Sequence, residues 1–437
     1  MKKNFLSLLF TSILIITSLE GFSGNDSLIN RLKQLPDVEQ VTELNSDSLF
    51  QSKYMMMVRQ PLDHNNPDAG SFTQRVFLSH LDYDRPVVFV TEGYSAYYAI
   101  SSKYVNELSA MLHASQVTVE HRYFGKSKPD SLKWQYLTTA QAAADHHHVI
   151  QLLKKVYKNN HWINTGISKG GQTAIYHRYY YPDDVDVSVG YVCPLNFSFE
   201  DKRVYSFLEN VGTDTCRRKI LEYQKRMLRE KDTFLPMFTA RVEARNFTYP
   251  IGLEAAYEMV VLEYPFAFWQ WGYYDCNEIP GQSESDSLHF DHLLKVSPLD
   301  YFSDQSLSRM RPFFYQAMTE IGYYGYDTAP YEDLLAAIDD NTFMFTIPDS
   351  VNIEYDFNKM KAVNHWLQTD AKKMLFIYGE NDPWSATAVD TDGNEHIQKI
   401  IKPQGSHRTR IRNLPEHQKE HVYKMLSNWL GIDIKKL

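Results

Sequence analysis

The stretch Thr165-Gly166-Ile167-Ser168-Lys169-Gly170-Gly171 constrains this chain more than any other. The strand-like Trp162-Ile163-Asn164 precedes it, and Gln172 to Arg178 reads as a helix. Strand, G-x-S-x-G and helix together are the setting of a nucleophile elbow. Serine on so sharp a turn is strained, and neighbouring backbone must pass close by. Gly166 and Gly170 offer no Cβ to obstruct it. Such a turn would hold the Ser168 hydroxyl above a sheet, at a helix N-terminus whose free N–H groups favour negative charge. The motif has meaning only if the rest of the chain supplies a base, an acid and oxyanion donors.

The segments around it alternate in the required way. Tyr54–Gln60 and Phe72–Leu78 read as two antiparallel strands joined by turn chemistry at Pro61–Pro67, after a polar lead-in over 25–50 that is extended or briefly helical. Pro86–Val90 is a continuous apolar run, as in a strand buried on both faces. Ala114–Val119 is the next strand, and Ala140–Lys155 is a helix capped by Thr138 or Thr139. After the elbow helix, Val185–Val192 is another strand. This is a doubly wound α/β order. From about Asn196 the pattern turns to long amphipathic stretches (Cys216–Glu230, Leu253–Phe268, Arg311–Ile321), which read as a helical insertion. The sheet resumes at Met374–Tyr378, and Glu416–Leu430 is a final helix. The expected parts are residues 1–24 as a signal peptide, 25–196 as the first part of the core, 197–350 as a helical cap, and 351–437 as the second part of the core.

Hydrolytic chemistry follows from chain order. A serine hydroxyl needs a base, and the base needs an orienting acid. In the α/β-hydrolase fold these follow in the order Ser, Asp, His. Asp382 stands at the end of the Met374–Tyr378 strand, and His407 follows in the loop Gln404-Gly405-Ser406-His407-Arg408. Asp390 and Asp392 lie beyond the strand end, His396 precedes the loop, and His417 and His421 belong to the last helix. The expectation is therefore a capped α/β-hydrolase with Ser168, Asp382 and His407 as its triad. The oxyanion donors would be the N–H of Lys169 and one from Gly93 or Tyr94, in the loop after the Pro86–Val90 strand.

Composition narrows the partners. A formal net charge of -9 and the lack of a dense Lys/Arg cluster argue against nucleic acid. The 30 tyrosines suit core packing and a cleft for peptides or sugars. Lys2 and Lys3, the apolar Phe5–Ile16 and the small residues of Gly21–Gly24 read as a cleaved signal peptide, too short to favour a stable membrane span. An exported protein is expected, with an N-terminal membrane anchor as the alternative. Cys193, Cys216 and Cys276 are not spaced as a metal site, and Cys193 with Cys216 is the expected bridge. His146-His147-His148 lies on a helix, where three consecutive side chains diverge and cannot share a metal. A partly solvated helix turn is expected there. No cofactor is implied.

Several runs together carry a family resemblance: Gln60-Pro61-Leu62-Asp63-His64, Glu120-His121-Arg122-Tyr123-Phe124-Gly125-Lys126-Ser127, Gly166 to Gly171, Thr319-Glu320-Ile321-Gly322-Tyr323-Tyr324 and Asn381-Asp382-Pro383-Trp384. The chain resembles the secreted prolyl tri/tetrapeptidyl aminopeptidases, relatives of lysosomal Pro-X carboxypeptidase and dipeptidyl peptidase II. The resemblance implies an α/β-hydrolase with a helical cap that removes tri- or tetrapeptides from free N-termini, often after proline, with Ser168, Asp382 and His407 in the triad. Lys169 stands where the lysosomal relatives have an aromatic residue, which favours the bacterial branch. Arg408-Thr409-Arg410 is more basic than is usual after the histidine. A substrate ammonium needs a carboxylate, for which Glu92 and Glu320 are the candidates, and a proline ring would stack on Trp269, Trp271, Tyr273 or Tyr274. An esterase or lipase with the same triad, or a non-catalytic peptide- or glycan-binding protein on this fold, are the alternatives.

Overall fold

The computed structural model describes residues 27–348 and 350–436. The expected signal peptide and its cleavage region lie outside the described residues. Among those described, no helix is long and apolar enough to cross a membrane.

Nine strands form one sheet: β1 (Val38–Leu44), β2 (Ser52–Pro61), β3 (Ser71–His80), β4 (Val87–Thr91), β5 (Ser115–Val119), β6 (Trp162–Ile167), β7 (Val187–Tyr191), β8 (Met374–Gly379) and β9 (Ile397–Lys402). Their spatial order is β1-β2-β3-β5-β4-β6-β7-β8-β9. β1, β2 and β3 run antiparallel, β3 meets β5 antiparallel, and from β5 to β9 every pairing is parallel. The parallel strands β4 to β8 are buried almost throughout, which is why β4 and β8 read as near-continuous apolar runs, while β5, β6 and β7 carry buried polar residues between their apolar ones. Residues 25–50, expected as a simple lead-in, contain a short helix α1 (Leu28–Lys33) and the edge strand β1. β1 escaped notice because its residues are mostly half-buried or exposed, with no apolar run to mark a strand.

Helices α2 (Glu107–Leu112), α3 (Thr139–Lys154) and α4 (Lys169–Tyr180) connect the first parallel strands. Thr138 caps α3 by accepting the Gln141 N–H. Between β7 and β8 lie α5 (Arg203–Asn210), α6 (Asp214–Arg229), α7 (Lys231–Arg245), α8 (Leu253–Trp271), α9 (Asp286–Val296), α10 (Asp304–Gln316) and α11 (Lys359–Thr369); α12 (Glu416–Leu430) closes the chain. The middle of α8 is buried on every side and mostly apolar, with the carboxylates of Glu258 and Glu263 enclosed among hydrogen-bond donors, so it forms the axis of this helical layer.

The disulfide differs from expectation. Cys216 pairs with Cys276 across 5.4 Å between Cα atoms, while Cys193 remains free and buried just beyond β7. Cys193 belongs to the sheet, beside Tyr378 of β8, and burial pushes its thiol up to about 12. Cys216 begins a helix of the insertion, and its bridge ties that helix to the segment following α8.

The motifs that mark the sequence brace the loops under the sheet edge. Arg122 is fully buried and forms a two-pronged pair with Asp145 of α3, both bonds 2.7 Å long. It also donates to the carbonyls of Pro61, Leu62 and Tyr136, and His64 takes a further place on Asp145 at 2.8 Å. Burial alone would raise the Asp145 pKa, but Arg122 and His64 outweigh it and hold the carboxyl below its usual value. Glu120 is equally enclosed, pairing with Arg75 and accepting N–H groups from Ala96, Lys126 and Ser127. Removing one partner of such a pair strands the other. Arg122→Met is expected to cost about 3–5 kcal/mol, read as a lowered denaturant midpoint with an unchanged slope.

Candidate active site

The expected catalytic residues all lie at the C-terminal ends of parallel strands. Ser168 follows β6, the Glu92–Tyr94 loop follows β4, Asp382 follows β8 and His407 follows β9. β4 is also where the strand order reverses, between β5 and β6, so a crevice opens there.

Ser168 adopts φ 56° and ψ -125°. That strain is held from several sides. The Ser168 N–H donates to Tyr191 of β7 at 2.8 Å, and its carbonyl accepts from Gln172 in the first turn of α4. A Cβ on Gly166 would fall 2.1 Å from the Gly170 carbonyl oxygen, so only glycine permits the strand and helix to approach so closely. Thr91 of β4 clamps both sides by donating its hydroxyl to the Thr165 and Gly170 carbonyls.

Asp382 is fully buried and His407 nearly so. His407 Nδ1 lies 2.7 Å from Asp382 Oδ2. With Nδ1 donating to the carboxylate, Nε2 is left as the proton acceptor. The two loops lock together: the Asn381 N–H donates to the Gly405 carbonyl at 2.8 Å, and Gly379 sits where a Cβ would strike the Gly405 backbone at 2.5 Å. The helical layer also holds the histidine. The Gln270 carbonyl at the end of α8 accepts the His407 N–H at 2.7 Å, and the Trp271 ring meets the imidazole edge-on at 5.5 Å.

The loop after β4 carries a feature that the elbow motif does not announce. The Lys169 side chain is buried beneath it and donates from Nζ to the Gly93 carbonyl at 2.7 Å. Tyr94 and Phe124 offer ring faces to the ammonium at 5.5 and 5.4 Å. Burial drives the Lys169 pKa well below its ordinary value, with Glu92 pulling the other way. The carboxyl of Glu92 is half-buried and takes hydrogen bonds from the Tyr98 hydroxyl and the Gly93 N–H. Burial raises it to about 7 despite those bonds and the nearby Lys169. The Gly93 N–H is thus already engaged, which distinguishes it from Tyr94 in the loop expected to supply an oxyanion donor.

The other expected binding residues are scattered. Glu320 is buried, and both its oxygens are taken, one by the Thr139 N–H at 2.7 Å and the other by Lys359 at 2.6 Å. It joins the helical layer to α3 through both oxygens. Trp269 lines a separate cavity of about 430 Å³ among α5, α6 and α8. Tyr274 packs on Phe268 and donates to the Lys295 carbonyl. Trp271 and Tyr273 are exposed beside the His407 loop. A different aromatic set meets at Ser168: Tyr94, Phe313, Tyr323 and Trp384, with Gln172 and Asn196, line the cavity against the serine. Tyr323 and Trp384 lie within two quoted motifs, but nothing in their spacing places them opposite Ser168. The histidine run also differs from expectation: His146 is fully buried with neither ring nitrogen bonded, while His147 meets Asp184 and His148 meets Gln60. Burial lowers the His146 pKa to about 3.

The sequence pattern of the PS-10 peptidase S37 family matches residues 27–437. The chain belongs to that family. It is a serine peptidase on an α/β-hydrolase fold. A prolyl tri/tetrapeptidyl aminopeptidase from Streptomyces mobaraensis is 32% identical over 87% of this chain and 80% of its own length. The bovine lysosomal Pro-X carboxypeptidase is 24% identical over 85% of each chain. Among solved structures, a proline iminopeptidase from Mycobacterium smegmatis aligns with a TM-score of 0.37 at 14% identity, covering 82% of this chain and 95% of that one.

In this S37 peptidase the tie from Lys169 to Gly93 positions the loop that carries the Tyr94 amide. Lys169→Met is expected to lower kcat by about 10- to 100-fold, with KM and melting temperature changing little. Steady-state kinetics beside thermal denaturation check this.

Proposed function

We propose that this chain is an exported serine exopeptidase that releases tri- or tetrapeptides from free N-termini, after proline, through an acyl-enzyme on Ser168. The observation that carries the reading is the set of aromatic rings gathered against Ser168, from Tyr94, Phe313, Tyr323 and Trp384; they leave only about 20 Å³ between them, so a ring enters by parting these side chains. A proline ring is flat and apolar and brings no N–H to satisfy, so it suits such a site. The likeness to the Streptomyces aminopeptidase supports the same choice. Export rests on the N-terminal sequence alone.

In this mechanism Ser168 Oγ attacks the prolyl carbonyl as His407 Nε2 takes its proton. The oxyanion is held by the Lys169 and Tyr94 amides, each worth about 3 kcal/mol. The C–N bond then breaks, and His407 passes the proton to the leaving amine. Water enters by the same route, giving its proton to His407 Nε2 as its oxygen bonds the acyl carbon; the ester bond to Ser168 Oγ then breaks, and His407 returns that proton to the serine. Asp382 remains ionised and steadies the imidazolium.

Glu92 is the carboxylate suited to the substrate ammonium. Burial raises its carboxyl to about 7 even with Lys169 nearby, and an incoming ammonium would offset that. The pairing requires the ionised form, so it weakens as pH falls through that value. The preference for free-amine over N-acetylated peptide is expected to shrink about fourfold from pH 8 to pH 6, because ionised Glu92 falls about tenfold while the substrate's own α-amine gains charge, and to vanish in Glu92→Gln at either pH. Comparing kcat/KM for the two peptides within one enzyme removes the pH dependence of His407 common to both.

The overall reading is tested with Ser168→Ala and a panel of peptides and acyl esters. The expected results are release of tri- or tetrapeptides ending in proline, fluorophosphonate labelling of wild type only, and loss of turnover in the folded variant. Equal cleavage of amine-blocked peptides would remove the exopeptidase claim. Ester hydrolysis without peptide cleavage would favour the esterase alternative, and a failure to label Ser168 the non-catalytic one.

A further inference from the structure

The His407 loop carries three arginines in a chain of net charge -9: Arg408, Arg410 and Arg412. They are not equivalent. Arg410 is turned inward and spent on the carbonyls of His407 and Thr409, at 3.2 and 2.6 Å. Arg408 is exposed, and its guanidinium lies 4.7 Å over the Tyr273 ring. No carboxylate forms an ion pair with Arg408 among the described residues. Tyr273 is 58% exposed and Trp271 41%, unusual for such large rings, yet Trp271 rests on the imidazole itself. Gly272 between them is held against Ser406, so this aromatic arm is fixed to the catalytic loop.

The arm's place decides which part of a substrate it meets. The aromatic enclosure beside Ser168 takes the acyl side. His407 delivers its proton to the leaving amine, so the polypeptide beyond the scissile bond starts beside the imidazole, which Trp271 meets edge-on and which Arg408, over Tyr273, adjoins in sequence. A guanidinium stacked on a ring keeps its in-plane N–H donors free for a carboxylate.

We propose that Arg408, held on Tyr273 beside Trp271, is a specificity-determining residue of the leaving side, selecting polypeptides with an acidic side chain in the first two positions after the cleaved bond. The proposal rests on the exopeptidase reading above.

The test uses two peptides with the same free N-terminus and the same proline at the cleaved bond, followed by Asp-Asp in one and Lys-Lys in the other. The quantity read is the ratio of their kcat/KM values within a single enzyme, which cancels any general loss of activity or folded fraction. Wild type is expected to favour the acidic peptide about 5- to 10-fold at low salt, and less at 0.5 M salt because the site is exposed. Arg408→Glu is expected to invert the ratio, and Arg408→Lys to retain part of it. A wild-type ratio near one, or a ratio that Arg408→Glu leaves unmoved, overturns the proposal while prolyl cleavage of both peptides leaves the exopeptidase reading intact. Failure of wild type to cleave either peptide at proline overturns that reading, and the proposal with it.

Discussion

Ser168 holds a backbone conformation that an L-residue adopts only under compulsion, and much of the molecule is arranged to compel it. The cost of such a conformation is about 1–3 kcal/mol. It is offset by the bond from Ser168 to Tyr191, the Thr91 clamp on the Thr165 and Gly170 carbonyls, and the close approach of Gly166 to Gly170. Each support belongs to a different parallel strand or to α4. The elbow therefore cannot exist apart from the sheet, and the sheet's strand order brings its other loops to the same edge.

The helical insertion is part of the site rather than a covering laid over it. It supplies the Gln270 carbonyl and Trp271 to His407, and Phe313 and Tyr323 to the enclosure beside Ser168. Its attachment to the core is also built from charge: Glu320 joins the Thr139 amide to Lys359 across that junction. The Cys216–Cys276 bridge then fixes the segment after α8, the same segment that carries the exposed aromatic arm. Positioning of the imidazole thus depends on how the insertion is seated.

The polar runs around Glu120 and Arg122 have a less direct role than their chemistry suggests. Glu120 and Arg122 hold no place at Ser168; they tie Arg75, Asp145 and the turns at Pro61 and Ser127 into one buried network. Lys169 is different again. Next to a nucleophile it reads as a backbone donor, but its buried side chain reaches back to Gly93 and holds the opposing loop.

The local sequence was sufficient for whatever short-range physics decides. Apolar runs marked the buried parallel strands, glycine spacing marked the elbow, and the order of Ser168, Asp382 and His407 marked which loops ought to meet. β1 stayed hidden because an edge strand with little burial leaves no apolar run. The pairing of Cys216 with Cys276 rather than Cys193 could not be read, because cysteine spacing carries no information about which chains lie side by side. For the same reason neither the ties of Glu320 to Thr139 and Lys359, nor the separate cavity beside Trp269, nor the meeting of Phe313 and Trp384 at Ser168 could be read from the chain. Composition and periodicity act along the chain, so they determined the sheet, the elbow and the presence of an insertion. Only the folded arrangement, in which residues far apart in sequence share one cavity, decided which aromatic rings gather at Ser168.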